Sequence, residues 1–217
     1  MHGCATRSAR LAVAALPLAL LLQLAVPALI ASGETAAAAG PGAASVEDTL
    51  WELLRRGGHV VLMRHVSTEA TPGFDPPGFT LGDCATQRNL SAFGRDEARG
   101  IGAAFRARGI PVARVLSSRW CRCLETARLA FGTAEPWPAL DSYHADRGRA
   151  PAQTAEVRRV AGERPIGGNV IMVTHEVNIA AATGISPAPG EMVILAPEGD
   201  GRFQTAGRLL LSVRPPG

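Results

Sequence analysis

"HVVLMRHVSTEAT", residues 59–71, decides the fold. Val60, Val61, Leu62 and Met63 are apolar without alternation, the pattern of a strand buried on both faces. The run stops on Arg64 and His65, side chains that are costly to bury without partners. Such a strand belongs to a sheet covered by helices on both sides, and the flanking sequence agrees. Gly57 and Gly58 end a helix that Ser45 caps, with Val46, Leu50, Leu53 and Leu54 at helical spacing. Residues 66–90 have no period and contain "TPGFDPPGF", so they read as a long loop of the functional kind. Ser91 caps a second helix, with Ala98, Ile101 and Phe105 on one face and Gly109 at its end.

The remainder alternates in the same way. "ARVLSS" (113–118) is a short strand, and residues 119–131 read as a helix burying Trp120, Leu124, Ala127 and Phe131. A short strand is expected at 138–140 and a helix at about 152–163. "NVIMVTH" (169–175) is another buried strand followed by a short helix; "GEMVILAPEG" and "RFQTAGRLLLSVR" close the chain as a hairpin. The expected fold class is α/β, a three-layer α/β/α sandwich with a mostly parallel central sheet.

The chain has 217 residues, enough for one domain and an N-terminal extension. "MHGCATRSAR" is basic, "LAVAALPLALLLQLAVPALIA" is apolar, and "SGETAAAAGPGAAS" is small and flexible, the order of a secretory signal. We expect a signal peptide over 1–38, a linker over 39–45 and a folded domain over 46–217, in the periplasm or secreted. The rival reading is an uncleaved membrane anchor, since the apolar run approaches spanning length; membrane association is expected only in that case. All 22 Lys-plus-Arg residues are Arg and the net charge is +3, but no basic block interleaves with aromatics, so nucleic acid is not an expected partner. Cys84, Cys121 and Cys123 would remain after cleavage. An exported chain permits one bridge, from Cys84 to Cys121 or to Cys123.

In open sheets of this class, ligands sit beyond the carboxyl ends of the strands. The first strand ends at Arg64-His65, the second at Ser117-Ser118 with Arg122 a helical turn on, and the late strand at Thr174-His175. Two arginines and two histidines therefore meet at one edge. Neighbouring guanidinium groups repel unless an anion joins them, and phosphate suits their forked donors. A neutral imidazole nitrogen in such a cage is a competent nucleophile for phosphorus, and a proton must then reach the leaving oxygen.

These residues resemble the histidine phosphatase superfamily, also called phosphoglycerate-mutase-like or acid-phosphatase-like. "LMRH" is similar to its opening strand and Arg-His motif, and "RNLSAFGRDEARGIGAAF" to its Leu-Ser and Gly helix. "VLSSRWCRCLETARLAF" is similar to its Ser-Ser, Arg and Thr-Ala motif, and "VIMVTHEVNIAAATG" to the strand bearing its second histidine. The four motifs run in the family's order over about residues 58–195. The resemblance implies a histidine phosphatase domain over 46–217, with His65 the phosphorylated nucleophile and Arg64, Arg122 and His175 the phosphate pocket. It implies no metal and no organic cofactor. It implies a phosphomonoesterase; with the leader, we expect an exported one acting on a small phosphomonoester or envelope glycan. The alternatives are a mutase-like phosphotransferase and a non-catalytic phosphate-binding domain. For the proton donor it leaves two residues, Glu176 in "HEVN" and Asp146 in "DSYHADRG", of which we favour Glu176. Val66 stands where the family has glycine and is expected to crowd the pocket wall; Arg119 stands where it has proline. Asp83 and Gln87 are further candidates for substrate contact, and His144 is expected to face solvent.

Overall fold

The computed structural model describes residues 45–70 and 74–212. The expected signal segment 1–38 and all but the last residue of the 39–45 linker lie outside the described residues. Ser45 caps α1 (Val46–Arg56) in a reciprocal capping box with Asp48, which satisfies two free backbone N–H groups. The elements that follow are β1 (Val60–Arg64), α2 (Ala92–Ala107), β2 (Val112–Ser117), α3 (Cys121–Phe131) and β3 (Glu135–Pro136). Then come α4 (Ala150–Ala161), β4 (Asn169–Thr174), α5 (Glu176–Thr183), β5 (Met192–Gly199) and β6 (Arg202–Leu209).

Six strands form one sheet in the order β3-β2-β4-β1-β5-β6. β3, β2, β4 and β1 run parallel; β5 and β6 are the antiparallel hairpin at one side. Successive β1 residues feed opposite cores. Val61 and Met63 pack with Leu54 of α1, Phe105 of α2 and Ala127 of α3. Val60 and Leu62 pack with Val157 of α4 and Ile179 of α5. All four β1 side chains are fully buried, so the unalternated run reflects helices on both faces, and the α/β/α sandwich is realised.

Three local expectations change. The edge strand lies at Glu135–Pro136, and 138–140 forms a 3-10 turn that Pro138 opens. Helix α3 begins at Cys121, two residues late, because Trp120 is extended at its N-cap. Its buried face carries Arg122, Cys123, Thr126, Ala127 and Ala130; Leu124 and Phe131 are only partly buried. Two helix-borne glycines are required by close approach. A side chain at Gly94 would stand 1.9 Å from the Ser67 carbonyl oxygen, and one at Gly102 2.1 Å from that of Ala130.

Candidate active site

Strand register brings the expected residues together. Arg64 on β1 pairs with Thr174 on β4, and Ser117 on β2 pairs with Val173 on β4, so three parallel strands end at one level. The next residue of each strand, His65, Ser118 or His175, turns into a common cleft edge. The His65 N–H donates to Thr174 O at 3.0 Å and the Ser118 N–H to Val173 O at 2.9 Å, which fixes both turns. Arg122, in the first turn of α3, reaches the same point.

Arg64, His65, Arg122, His175 and Glu176 line a cleft of about 210 Å³ together with Asp75, Arg88, Trp120 and others. Both histidines are buried, and their partners assign opposite tautomers. His65 Nδ1 lies 2.9 Å from the Val66 carbonyl oxygen, which only accepts, so Nδ1 carries the proton. Arg122 Nε donates to His65 Nε2 at 3.3 Å, so that nitrogen carries the ring's lone pair, which accepts from Arg122. His175 is the reverse. Arg122 Nη2 lies 3.4 Å from its Nδ1, which accepts, and Nε2–H donates to Ser118 Oγ at 2.9 Å. Ser118 Oγ in turn donates to Asp141 Oδ1 at 3.4 Å. Burial and then the Arg122 charge lower the His65 pKa to about 3. The same causes, with His65 itself, push His175 well below its ordinary value.

Asp141 is fully buried and paired with Arg119, whose backbone N–H also donates to it at 2.9 Å. Arg119 at the family's proline position thus anchors the carboxylate that orients Ser118. Val66 does not crowd the cleft: it is fully buried in the core on the α2 side. Its N–H donates to Thr126 Oγ1 at 3.4 Å.

The two expected donors part company. Glu176 Oε2 lies 3.0 Å from Arg64 Nη1, at the rim. Asp146 is exposed and does not line the cleft, because its carboxylate caps the 147–149 turn by accepting from the Gly148 N–H. Asp83 likewise caps the 84–86 turn. Gln87 is buried, with its amide spent on Thr80 O, Leu81 O and the Cys121 N–H, so it braces the loop. His144 is exposed as expected, yet its ring stacks on Phe74 at 4.8 Å and lines the cleft.

Two charged cleft residues, Asp75 and Arg88, had no role assigned from sequence. Asp75 accepts from Arg122 Nη1 at 2.7 Å, from the Arg88 N–H at 3.0 Å and from Trp120 Nε1 at 2.9 Å. Arg88 adds a third guanidinium to the cleft. The Nε atoms of Arg64 and Arg88 are buried without a partner. Arg88 precedes the Leu-Ser helix start, and that adjacency was its only signal. Cys84 and Cys121 form a disulfide that ties the 66–90 loop to the start of α3. Cys123 is free and buried, and burial pushes its thiol up to about 12. Among the described residues no group of three or more His, Cys, Asp or Glu could hold a metal ion.

No family model and no curated protein matches the sequence. Solved structures do. The open reading frame Rv3214 of Mycobacterium tuberculosis is 16% identical, with a TM-score of 0.50 over 68% of this chain and 94% of that one. The protein histidine phosphatase SixA complexed with tungstate is 18% identical, with a TM-score of 0.49 over 70% of this chain and 96% of that one. A phosphoserine phosphatase of Entamoeba histolytica is 10% identical, with a TM-score of 0.48 over 69% and 95%. The sheet order and the likeness to the Rv3214 structure agree on the fold: a mixed, mostly parallel six-stranded sheet between two helical layers, with the cleft at the strand ends.

Proposed function

We propose that this protein is a phosphomonoesterase that passes the phosphoryl group through His65. The observation that carries the reading is the Nε2 lone pair of a neutral, buried imidazole inside a cleft of three guanidinium groups, two with unpartnered Nε donors. Nε2 attacks phosphorus and the P–O bond to the leaving group breaks. Arg64, Arg88 and Arg122 gather the charge on the equatorial oxygens. Water then attacks the phosphohistidine, restoring neutral His65 and releasing phosphate. His175 holds Arg122 through its Nδ1 acceptor. Guanidinium groups supply the charge that a metal supplies elsewhere, so turnover is proposed to be metal-independent.

The cleft is smaller than the ~300–1,000 Å³ usual for whole-ligand pockets. It takes a phosphate and its nearest atoms and leaves the rest of the substrate outside. A small phosphomonoester and a phosphorylated envelope glycan both meet that condition. Export is supported by the basic–apolar–small leader and by the Cys84–Cys121 disulfide, a bond that reducing compartments disfavour.

The test is steady-state hydrolysis of nitrophenyl phosphate and an alkyl phosphate by purified protein after exhaustive chelation. Turnover with an acid-labile, alkali-stable enzyme label supports the reading. An inactive wild type, or a fully active His65→Ala, defeats it. The mass of the chain recovered from its own cell envelope tests cleavage.

A further inference from the structure

We infer that Asp75, carried by the loop after β1, is the proton donor to the leaving oxygen. The assignment rests on the phosphomonoesterase reading above and replaces Glu176, favoured from sequence, in that role.

The argument is positional first. One planar guanidinium holds both ends of the proposed reaction. Arg122 Nε donates to the nucleophilic nitrogen of His65 at 3.3 Å, and Nη1 donates to Asp75 Oδ1 at 2.7 Å. Asp75 is also fixed from two other directions, by the Arg88 N–H and the Trp120 indole N–H. A carboxyl held by three donors from two segments, the 66–90 loop and the start of α3, has one position, as a general acid must. Glu176 stands at the first position of α5 with a single ion-pair partner, Arg64.

Shielding points the same way. The Asp75 side chain is 11% exposed and that of Glu176 44%. An acid gains a proton when burial disfavours its charge and no cation compensates. At Asp75 burial is the largest single influence and acts upward; the Arg122 and Trp120 hydrogen bonds and the Arg88 N–H outweigh it. Phosphate removes that compensation. When Arg122 turns its donors to the substrate oxygens, Asp75 keeps its burial, loses its strongest partner and gains an anionic neighbour. Both changes, with the burial unaltered, favour the acid form when the substrate is in place. Asp75 takes its proton from solvent and passes it to the departing oxygen as Nε2 of His65 bonds to phosphorus. The resulting carboxylate takes a proton from the water that attacks the phosphohistidine, so the cycle closes.

The experiment compares two esters. An alkyl phosphate needs a proton on its leaving oxygen and nitrophenyl phosphate does not. Asp75→Asn is expected to slow the alkyl ester by ~100-fold or more, the low end for general acid catalysis, while the aryl ester keeps most of its rate and so reports intact folding. Glu176→Gln is expected to slow both esters by one common factor. An Asp75→Asn variant that slows both equally, or selective loss in Glu176→Gln, overturns the assignment. A second variant covers an Asp75→Asn chain that does not fold. Trp120→Phe removes one donor from the carboxylate and leaves Arg122, Arg88, His65 and His175 facing it. The basic limb of kcat/KM for the alkyl ester then moves to higher pH while that for the aryl ester stays; equal movement overturns the proposal. A wild type active on neither ester defeats the phosphatase reading itself, whereas wild-type activity with no ester selectivity in either variant defeats only the donor.

Discussion

The cleft has a floor and a rim, and they are built differently. The floor is Arg64, His65, Ser118 and His175, each at or just past the end of a parallel strand whose neighbours fix it by backbone hydrogen bonds. The rim is the loop bearing Phe74, Asp75, Phe79 and Arg88. A disulfide from Cys84 to Cys121 and the buried amide of Gln87 hold that loop, not a ladder. On the proposed reading the floor places the nucleophile, because a sheet edge is rigid. The rim would place the acid and an extra cation, which exchange partners when substrate arrives, a task suited to a loop pinned at a few points. Arg122 joins the two, with donors on both histidines and on Asp75.

The comparison breaks most severely if the floor proves dispensable. His65→Ala is expected to lower kcat by ~10⁴-fold or more, the scale of losing a covalent nucleophile, and to abolish the alkali-stable label. Retained turnover with no labelled enzyme would move the chemistry off the strand end.

Arg122→Ala and Arg88→Ala then weigh floor against rim. Arg122 touches both histidines, so its loss should cost kcat ~10²–10³-fold, the price of one transition-state donor, whereas Arg88→Ala should act mainly on KM. Equal kcat losses in the two variants would erase the distinction.

Removing the bridge should loosen the rim alone. Cys84→Ser with Cys121→Ser opens a loop of sequence separation 37 and should cost about 3–4 kcal/mol of unfolding free energy, measured by denaturant melts. kcat/KM should fall while the His65 label survives. Loss of the label would show that the bridge also supports the floor.

The smallest effect sharpens the floor itself. Imidazole ¹⁵N shifts should report neutral rings from about pH 8 to about pH 5, with the proton on Nδ1 of His65 and Nε2 of His175. The sign for stability follows. The folded chain holds His65 at about 3, while an unfolded His binds its proton near pH 6.5. The unfolded state therefore takes up more protons between those values, and stability present above about pH 6.5 is lost as pH falls. A melting temperature flat from pH 7 to about pH 4 would contradict the buried neutral assignment.

Much of this was legible in the sequence because it is local. Val60–Met63 could only be a strand buried on both faces, and the alternation of greasy strands with capped helices could only close as a covered sheet. The strand-end rule then put Arg64, His65, Arg122 and His175 at one edge before any distance was known. The bridge was reached as one of two pairings. The acid we propose was not legible. Glu176 was favoured because it follows His175 in the chain, and adjacency in sequence was the only distance available. Asp75 sits in a Gly- and Pro-rich segment that signals loop and nothing more. What makes it notable is a guanidinium 47 residues away and an indole 45 residues away.

The sequence by itself determined the layers, the strand ends and the cluster of arginines and histidines at them, since hydrophobic period and turn residues act over a few positions. Only the tertiary structure decided which nitrogen of each histidine carries the proton, which carboxylate is shielded and where Asp146, Asp83 and Val66 point. Those are properties of partners brought together by register and by loop packing. A one-dimensional pattern carries no information on which donor reaches which acceptor, and protonation is set by that.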